Sequence, residues 1–291
     1  MESVVHSVTN SFNTGFLEGG FISVSPSVIL LVLLSISLSY FGSAYYKVSR
    51  SQVLLYTLYI VFVLPVPGVL KFNGAYISAA ALLWSAFYMI KFITQEKYSP
   101  SDLFISVLGL SLTALFTPET LPVVPVCLLF VFYNRNIFLL RSLVISIGAL
   151  LVPWIWFISI LVIFDLADPT LVYGYYIDRL ALHGIVTGGM GFFFATGLLL
   201  FLVRPFMVFF RRYSESNRVQ RVAGALTTIL TLLSIVMMFL YSSESMAPLH
   251  VVLMLFPSMS LYLYLSGTSK KETGTVLVIL LLSIICFRIF C

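Results

Sequence analysis

The segment Asp165–Thr187, DLADPTLVYGYYIDRLALHGIVT, concentrates side chains that could do chemistry. Carboxylates beside a histidine are the groups used in general acid–base catalysis, for example to deprotonate an acceptor hydroxyl in sugar transfer. On a helix, Asp178 or Arg179 would share a face with His183, because residues three or four apart are neighbours. The alternative is a solvated loop whose charges keep the flanking helices correctly inserted. If the chain is an enzyme, its catalytic candidates are Asp165, Asp168, Asp178 and His183.

The next apolar run begins with a glycine-rich stretch that could bind an anion. Unpaired backbone N–H groups and the positive end of the helix dipole attract phosphate at a helix N-terminus. Arg179 could add a cation to such a site, which would hold the phosphate of a polyprenyl-phosphate lipid. The alternative is close helix packing, which small residues at this spacing permit in membranes. The candidate anion-binding positions are Arg179, Gly188, Gly189 and Gly191.

Two isolated residues, Glu119 and His250, are further candidate ligand-binding residues. Glu119 lies in the tight joint FTPETLP between two short apolar runs. A carboxylate at membrane depth is costly and therefore suggests function, whereas an exposed one would only favour the start of the following helix. His250 follows Pro248 at the start of an apolar run. It could relay protons, or it could lie at a helix end in the membrane interface.

The composition predicts a membrane protein. The chain of 291 residues is 60% hydrophobic and 9% charged, whereas about 25% of residues are charged in soluble domains. We interpret the net charge of +5 as a topology signal and not as a nucleic-acid-binding surface, because basic residues near helix ends fix orientation in the bilayer. The three cysteines, Cys127, Cys286 and Cys291, form no metal-ligand motif. No metal or cofactor is therefore expected.

A bilayer core of about 30 Å requires roughly 20 apolar residues in a helix, and ten apolar runs emerge on this criterion. The predicted fold is an all-α transmembrane bundle of about ten helices. The two runs within 103–133 are short, so eight spans plus a re-entrant hairpin are an open alternative. The runs are Ser27–Tyr46, Val53–Leu70, Ala75–Phe92, Leu103–Phe116, Leu121–Tyr133, Leu143–Phe164, Gly188–Val208, Val222–Tyr241, Pro248–Leu265 and Thr275–Phe290.

The charges between the runs predict the orientation. When the connections are assigned alternately to two sides, one side collects most of the 16 basic residues and the other most of the 11 acids. The basic side should be cytoplasmic, with both termini outside, in the inner membrane of a bacterium. The basic set is Lys47, Arg50, Lys91, Lys97, Arg135, Arg141, Arg204, Arg211, Arg212, Arg218, Arg221, Lys270 and Lys271; the acidic set is Glu2, Glu18, Glu119, Asp165, Asp168, Asp178 and Glu244.

The sequence predicts one integral membrane domain over 1–291. Within it, 1–26 forms an extracytoplasmic N-terminal segment, 165–187 the main extracytoplasmic loop and 209–221 a basic cytoplasmic loop. Prolines inside the runs, among them Pro153 and Pro257, are expected to kink or break helices because each removes a backbone donor.

Four segments between Phe72 and Phe157 carry a family resemblance: YMIKF, SLTALFTPETLPVVPVCLLFVF, NRNIFLLRS and IGALLVPWIWF. They resemble a family of multi-pass inner-membrane proteins of Bacteroidetes that has no assigned activity. This resemblance implies location and architecture. The hairpin with its basic joint is also similar to part of the O-antigen polymerase and polyprenyl-linked glycosyltransferase membrane folds, which implies a site on the extracytoplasmic face.

Three functions follow as hypotheses. The first is a non-enzymatic component of bacterial envelope assembly that acts through helix packing with partner membrane proteins. The second is a transferase, polymerase or flippase for a polyprenyl-phosphate-linked glycan. The third is a small-solute transporter, which kinked helices and a carboxylate at membrane depth would favour.

Overall fold

The computed structural model describes the backbone of residues 20–46, 53–63, 73–135, 139–164, 217–240 and 246–266, together with 173, 174, 176, 177, 180, 274, 275 and 278. The chain forms two compact units. The first comprises residues 1–34 and 70–182, and the second comprises residues 35–69 and 183–291. The described part is 93% helical and contains no strand, so the predicted all-α class is confirmed.

The described residues form nine α-helices and one short 3-10 turn, Pro118–Thr120. The helices are α1 Gly20–Tyr46, α2 Val53–Val63, α3 Asn73–Thr94, α4 Pro100–Phe116, α5 Val123–Arg135, α6 Leu139–Ile163, α7 Arg218–Leu240, α8 Met246–Leu253 and α9 Leu255–Ser266.

Four of these helices are long and apolar enough to cross a membrane: α1, α3, α6 and α7. Shorter apolar helices cover the other predicted runs that the structure describes. At a rise of 1.5 Å per residue, α4 is about 26 Å long and α5 about 20 Å, both less than the bilayer core of about 30 Å. The predicted runs Gly188–Val208 and Thr275–Phe290 lie almost wholly outside the described residues.

Helix α4 begins three residues before the predicted run, at a serine cap. Ser99 has an extended backbone, and its side-chain oxygen accepts from the backbone N–H of Asp102. Serine stabilises a helix N-terminus in this way, and Pro100 follows at the first helical position, where the missing N–H would have had no helical partner. This cap extends the predicted run from Leu103 back to Pro100, which lengthens the helix by nearly one turn.

In the first unit, α4 packs against α3 through reciprocal side-chain-to-backbone hydrogen bonds. The hydroxyl of Ser78 on α3 donates to the carbonyl of Thr113 on α4 at 2.9 Å. The hydroxyl of Thr113 shares its one proton between the carbonyl of Gly109 on its own helix at 2.8 Å and that of Ser78 at 3.2 Å. About two helical turns away, the hydroxyl of Ser85 on α3 donates to the carbonyl of Ser106 on α4 at 2.6 Å. Membrane helices use such small hydroxyl residues to associate, because lipid supplies no hydrophobic drive between helices.

A glycine sets how closely the two helices approach. A Cβ built on Gly109 of α4 would lie 2.9 Å from the carbonyl oxygen of Ala81 and 3.0 Å from Cβ of Ser85, both on α3. The nearest atom belongs to the backbone and cannot rotate away. Only glycine therefore fits at this position without moving one helix. On its other side, α4 is held to α6 by the hydroxyl of Ser111, which donates to the carbonyl of Leu150 at 2.6 Å.

The second unit also joins its helices through buried polar groups. The hydroxyl of Tyr59 on α2 donates to the carbonyl of Val251 on α8 at 2.9 Å. The hydroxyls of Thr231 on α7 and Ser260 on α9 lie 2.9 Å apart and share a hydrogen bond. These bonds satisfy polar groups away from water, where an unpaired group is costly.

Pro257 explains why the last described apolar run is two helices and not one. Helix α8 ends at Leu253 and α9 begins at Leu255. A proline at 257 has no N–H to donate to the carbonyl of Leu253, and its ring crowds that carbonyl. Helical bonds continue on both sides of the break, from the N–H of Met254 to His250 and from the N–H of Ser258 to Met254. The break predicted at Pro257 is confirmed.

The glycine contact gives a matched pair of variants. We expect Gly109→Ala to lower the free energy of unfolding by about 1–3 kcal/mol, the typical cost of overpacking a tight core. Gly148 on α6 has no atom within 4 Å of its Cβ position, so Gly148→Ala should leave stability unchanged or slightly raised. Thermal unfolding of both variants in detergent tests this, and equal effects would contradict the role assigned to Gly109.

Candidate functional site

Most of the predicted site residues fall outside the described part of the chain. This applies to Asp165, Asp168, Asp178, Arg179, His183, Gly188, Gly189 and Gly191. Their assignment as catalytic or anion-binding residues therefore stays a prediction. Glu119 and His250 are described, and so are five residues from the middle of the 165–187 segment: Gly174 and the four residues Tyr173, Tyr176, Ile177 and Leu180.

Those four residues of the segment line a pocket in the first unit. The pocket has a volume of about 410 Å³, which lies within the range of roughly 300–1,000 Å³ typical of small-molecule sites. Its other walls are one face of α6, the end of α4 and the turn that follows α4. The remaining lining residues are Ala114, Pro118, Leu121, Trp154, Phe157, Ile158 and Leu161.

Two contacts of Tyr176 connect this segment to the helices. Its hydroxyl donates to the carbonyl of Leu115 at 2.6 Å. That carbonyl belongs to the last turn of α4, where carbonyls lack helical partners, so the bond satisfies an acceptor as well as positioning the segment. The Tyr176 ring also meets Trp154 of α6 edge to face, with ring centroids 4.9 Å apart, a geometry that stabilises aromatic pairs.

The described lining of the pocket is apolar and aromatic. Its lining residues carry no carboxylate, imidazole, thiol or amine among the described side chains, and its polar atoms are those of two tyrosines and one tryptophan. It can hold a hydrocarbon chain, since burying apolar surface is favourable by roughly 25 cal/mol per Å² where that surface would otherwise meet water.

Glu119 lies in the turn Pro118–Thr120. Its sequence neighbours Pro118 and Leu121 both line the pocket. The Glu119 residue is 1% exposed. Of the two alternatives for Glu119, an exposed surface carboxylate does not fit this burial, because the residue is enclosed within the protein. The Thr120 hydroxyl donates to the carbonyl of Thr117 at 2.7 Å and tightens the turn. The Thr117 hydroxyl, also buried, has no partner among the described residues.

His250 lies inside the second unit, in the last turn of α8. It is 3% exposed, and its Nε2 lies 2.8 Å from the carbonyl oxygen of Phe62 on α2. A carbonyl oxygen only accepts, so Nε2 carries the proton of this hydrogen bond. The ring is therefore buried between helices. The contact gives His250 a role in joining α8 to α2.

The ion pair between Lys91 and Asp102 was not among the sequence-based predictions. Lys91 Nζ lies 2.9 Å from Asp102 Oδ1, at the joint between α3 and α4. The Asp102 side chain is 6% exposed and the Lys91 side chain 41%. A signal was present in the sequence, because Asp102 falls in the first turn of a helix and Lys91 in the last turn of the preceding one. Both charges complement their helix dipoles, and a short joint brings them together.

Comparison with known proteins provides no relative. A scan against protein-family models, a search of curated proteins and a search of solved structures each found no match. Among the described residues, no group of histidine, cysteine, aspartate or glutamate side chains could hold a metal ion. The assignment of function therefore depends on the pocket, the helices and the pattern of charge.

The two tyrosines of the pocket give a second matched pair. Tyr176→Phe removes the hydroxyl that bonds to Leu115 and should lower the free energy of unfolding by about 0.5–1.5 kcal/mol, the net contribution of one hydrogen bond. Tyr173 is 69% exposed, so Tyr173→Phe should change stability by less than about 0.5 kcal/mol. Thermal unfolding in detergent measures both. A Tyr176→Phe variant as stable as the parent would show that this bond does not hold the segment.

Proposed function

We propose that this chain is an integral protein of the bacterial inner membrane that takes part in envelope assembly by binding and not by catalysis. It would cross the membrane about ten times, with both termini outside. The alternating distribution of basic and acidic residues supports this orientation. The four apolar helices of spanning length support its place in a bilayer.

The observation that carries the proposal is the apolar pocket between α6, the end of α4 and residues 173–180. In a bilayer, an apolar pocket lined by tryptophan and tyrosine suits a hydrocarbon chain, because such rings pack against hydrocarbon while their polar atoms remain near the headgroups. The hydrocarbon part of a polyprenyl-phosphate lipid is the ligand that fits the hypothesis best. Arg179 and the glycines at 188, 189 and 191 follow in the sequence and would supply cation and N–H groups for its phosphate.

A pocket-filling variant on α6 tests this proposal. Ile158 lines the pocket and is 45% exposed, whereas Ile155 is 57% exposed and does not line it. We expect Ile158→Trp to reduce labelling by a photoactivatable polyprenyl phosphate at least tenfold, because the indole would occupy the space of the chain. Ile155→Trp adds the same bulk to the same helix, and labelling should remain at the parent level.

Two further measurements complete the experiment: the identity of the labelled peptide and the folded state of each variant. Labelling should map to the segment 173–180 or to the facing side of α6, and both variants should elute from size exclusion like the parent. Equal labelling of the two variants, or labelling spread over all apolar helices, would contradict the pocket. Turnover of a polyprenyl-linked sugar by the purified protein would contradict the proposal that it only binds.

A second candidate function, packing against a partner membrane protein, is favoured by the outer face of α6. Only 17% of the apolar stretch of this helix is buried within the chain. Gly148 lies on α6 with open space beside it, and small residues allow another helix to approach closely. This face would either meet lipid or receive a helix of a partner.

A larger side chain at position 148 distinguishes lipid from a partner helix on this face of α6. Gly148→Leu should abolish cross-linking to a partner protein in native membranes if a helix packs there. Ile147→Phe, at the neighbouring exposed position, provides the control for added bulk. Unchanged cross-linking in both variants would leave α6 facing lipid alone and would remove the partner hypothesis.

A further inference from the structure

The joint between α3 and α4 brings basic and aromatic side chains together. Lys91 Nζ lies 5.3 Å from the centroid of the Tyr88 ring, and Arg141 Cζ of α6 lies 5.4 Å from the centroid of the Tyr98 ring. Both distances are within the roughly 6 Å over which a cation is attracted to an aromatic face. Two cations are thus oriented at one end of the helices that form the first unit.

The two cations differ in what compensates their charge. Lys91 is paired with the buried carboxylate of Asp102. Arg141 is exposed, and within the described part of the chain no carboxylate lies within ion-pair distance of its guanidinium. Lys91, Asp102 and Arg141 together therefore carry one net positive charge, and this charge is that of Arg141.

The Tyr98 ring that supports Arg141 is itself fixed. Its hydroxyl shares a hydrogen bond of 3.2 Å with the hydroxyl of Ser142 on α6. The ring meets Phe92 of α3 edge to face at a centroid distance of 5.8 Å. A guanidinium resting on a fixed ring loses less side-chain freedom when it binds an anion, which favours binding at this position over binding to a free surface arginine.

We propose that Arg141, supported by the Tyr98 ring of the joint between α3 and α4, binds the phosphate of an anionic phospholipid headgroup. A guanidinium presents paired N–H groups that match the oxygens of a phosphate. Basic pockets between membrane helices at the cytoplasmic side bind acidic headgroups by this chemistry. We assign this site to a lipid because α6, the helix that carries Arg141, is long enough to span a membrane and begins next to Arg141.

This site is separate from the pocket described above. Arg141 and Ile158 lie 17 residues apart on α6, which corresponds to about 26 Å at 1.5 Å per residue. That length is close to the thickness of a bilayer core of about 30 Å. The two sites therefore face opposite leaflets, and under the proposed topology the Arg141 site faces the cytoplasmic one. Only this choice of leaflet depends on the proposed function.

Lipid binding to single variants tests the proposal. The protein in mild detergent is titrated with phosphatidylglycerol and, separately, with phosphatidylcholine of the same acyl chains, and bound lipids are counted by native mass spectrometry. We expect Arg141→Gln to weaken phosphatidylglycerol binding about fivefold, since one basic residue near an anionic surface contributes about 1 kcal/mol. Phosphatidylcholine binding should not change.

Lys97 provides the matched control because it is an exposed lysine in the same joint. Lys97→Gln removes the same charge and should change phosphatidylglycerol binding less than twofold. Asp102→Asn should strengthen binding, since the charge of Lys91 is then no longer compensated. Equal losses for Arg141→Gln and Lys97→Gln would overturn the site and leave only a general basic surface.

Free phosphate separates a lipid site from a site for a soluble anion. Inorganic phosphate at millimolar concentration should not displace phosphatidylglycerol, because the acyl chains hold the lipid against the helices. Displacement by phosphate would overturn the assignment to a lipid headgroup. Arg141 is exposed, so the variant should fold, and its elution from size exclusion confirms this. Photolabelling at the Ile158 pocket reports on the pocket alone. Its failure would contradict the proposed function and would leave the test of the Arg141 site unaffected.

Discussion

The first unit depends on the close approach of α3 and α4 at Gly109. Where a Cβ would lie 2.9 Å from a backbone oxygen, the two backbones can come near enough for serine and threonine hydroxyls to reach carbonyls of the neighbouring helix. In hydrocarbon, helices gain nothing by hiding apolar side chains from each other, so dispersion contacts and these hydrogen bonds must hold them. A larger residue at 109 would separate the helices and lengthen every one of those bonds.

The position of α4 determines what lies at its two ends. At its start, the capped first turn brings Asp102 to Lys91 of the preceding helix. At its end, the carbonyl of Leu115 receives the Tyr176 hydroxyl, and the turn at Pro118 forms part of the pocket wall. Both features use backbone groups or dipoles that a helix terminus leaves uncompensated. A helix shorter than the bilayer core thus positions a charged cluster at one end and an apolar pocket at the other.

The sequence predicts the helices well because hydropathy, caps and prolines act locally. The start of α4 follows from Ser99 and Pro100, and the division between α8 and α9 follows from Pro257. The site is predicted poorly because its contacts join distant residues. Nothing near Tyr176 indicates a bond to Leu115, 61 residues away. The burial of Glu119 and of His250 likewise depends on how a turn or a helix is covered, which no local pattern records.

A lipid-binding function is consistent with the distribution of polar groups between the two ends of α6. A lipid has an apolar chain and a charged headgroup, and a protein that binds lipids requires a surface for each. The pocket at the far end of α6 is apolar apart from its aromatic polar atoms, whereas the near end presents a guanidinium supported by Tyr98. A transport pathway would instead place several polar side chains along the interior between these ends. In the first unit, the hydroxyls of Ser78 and Ser85 on α3 donate to backbone carbonyls of α4, and the Ser111 hydroxyl on α4 donates to a carbonyl of α6, so these hydroxyls serve to join helices. Within the described helices of the first unit, these hydroxyls are therefore engaged in helix packing, while the two ends of α6 present the two kinds of surface that a lipid would require.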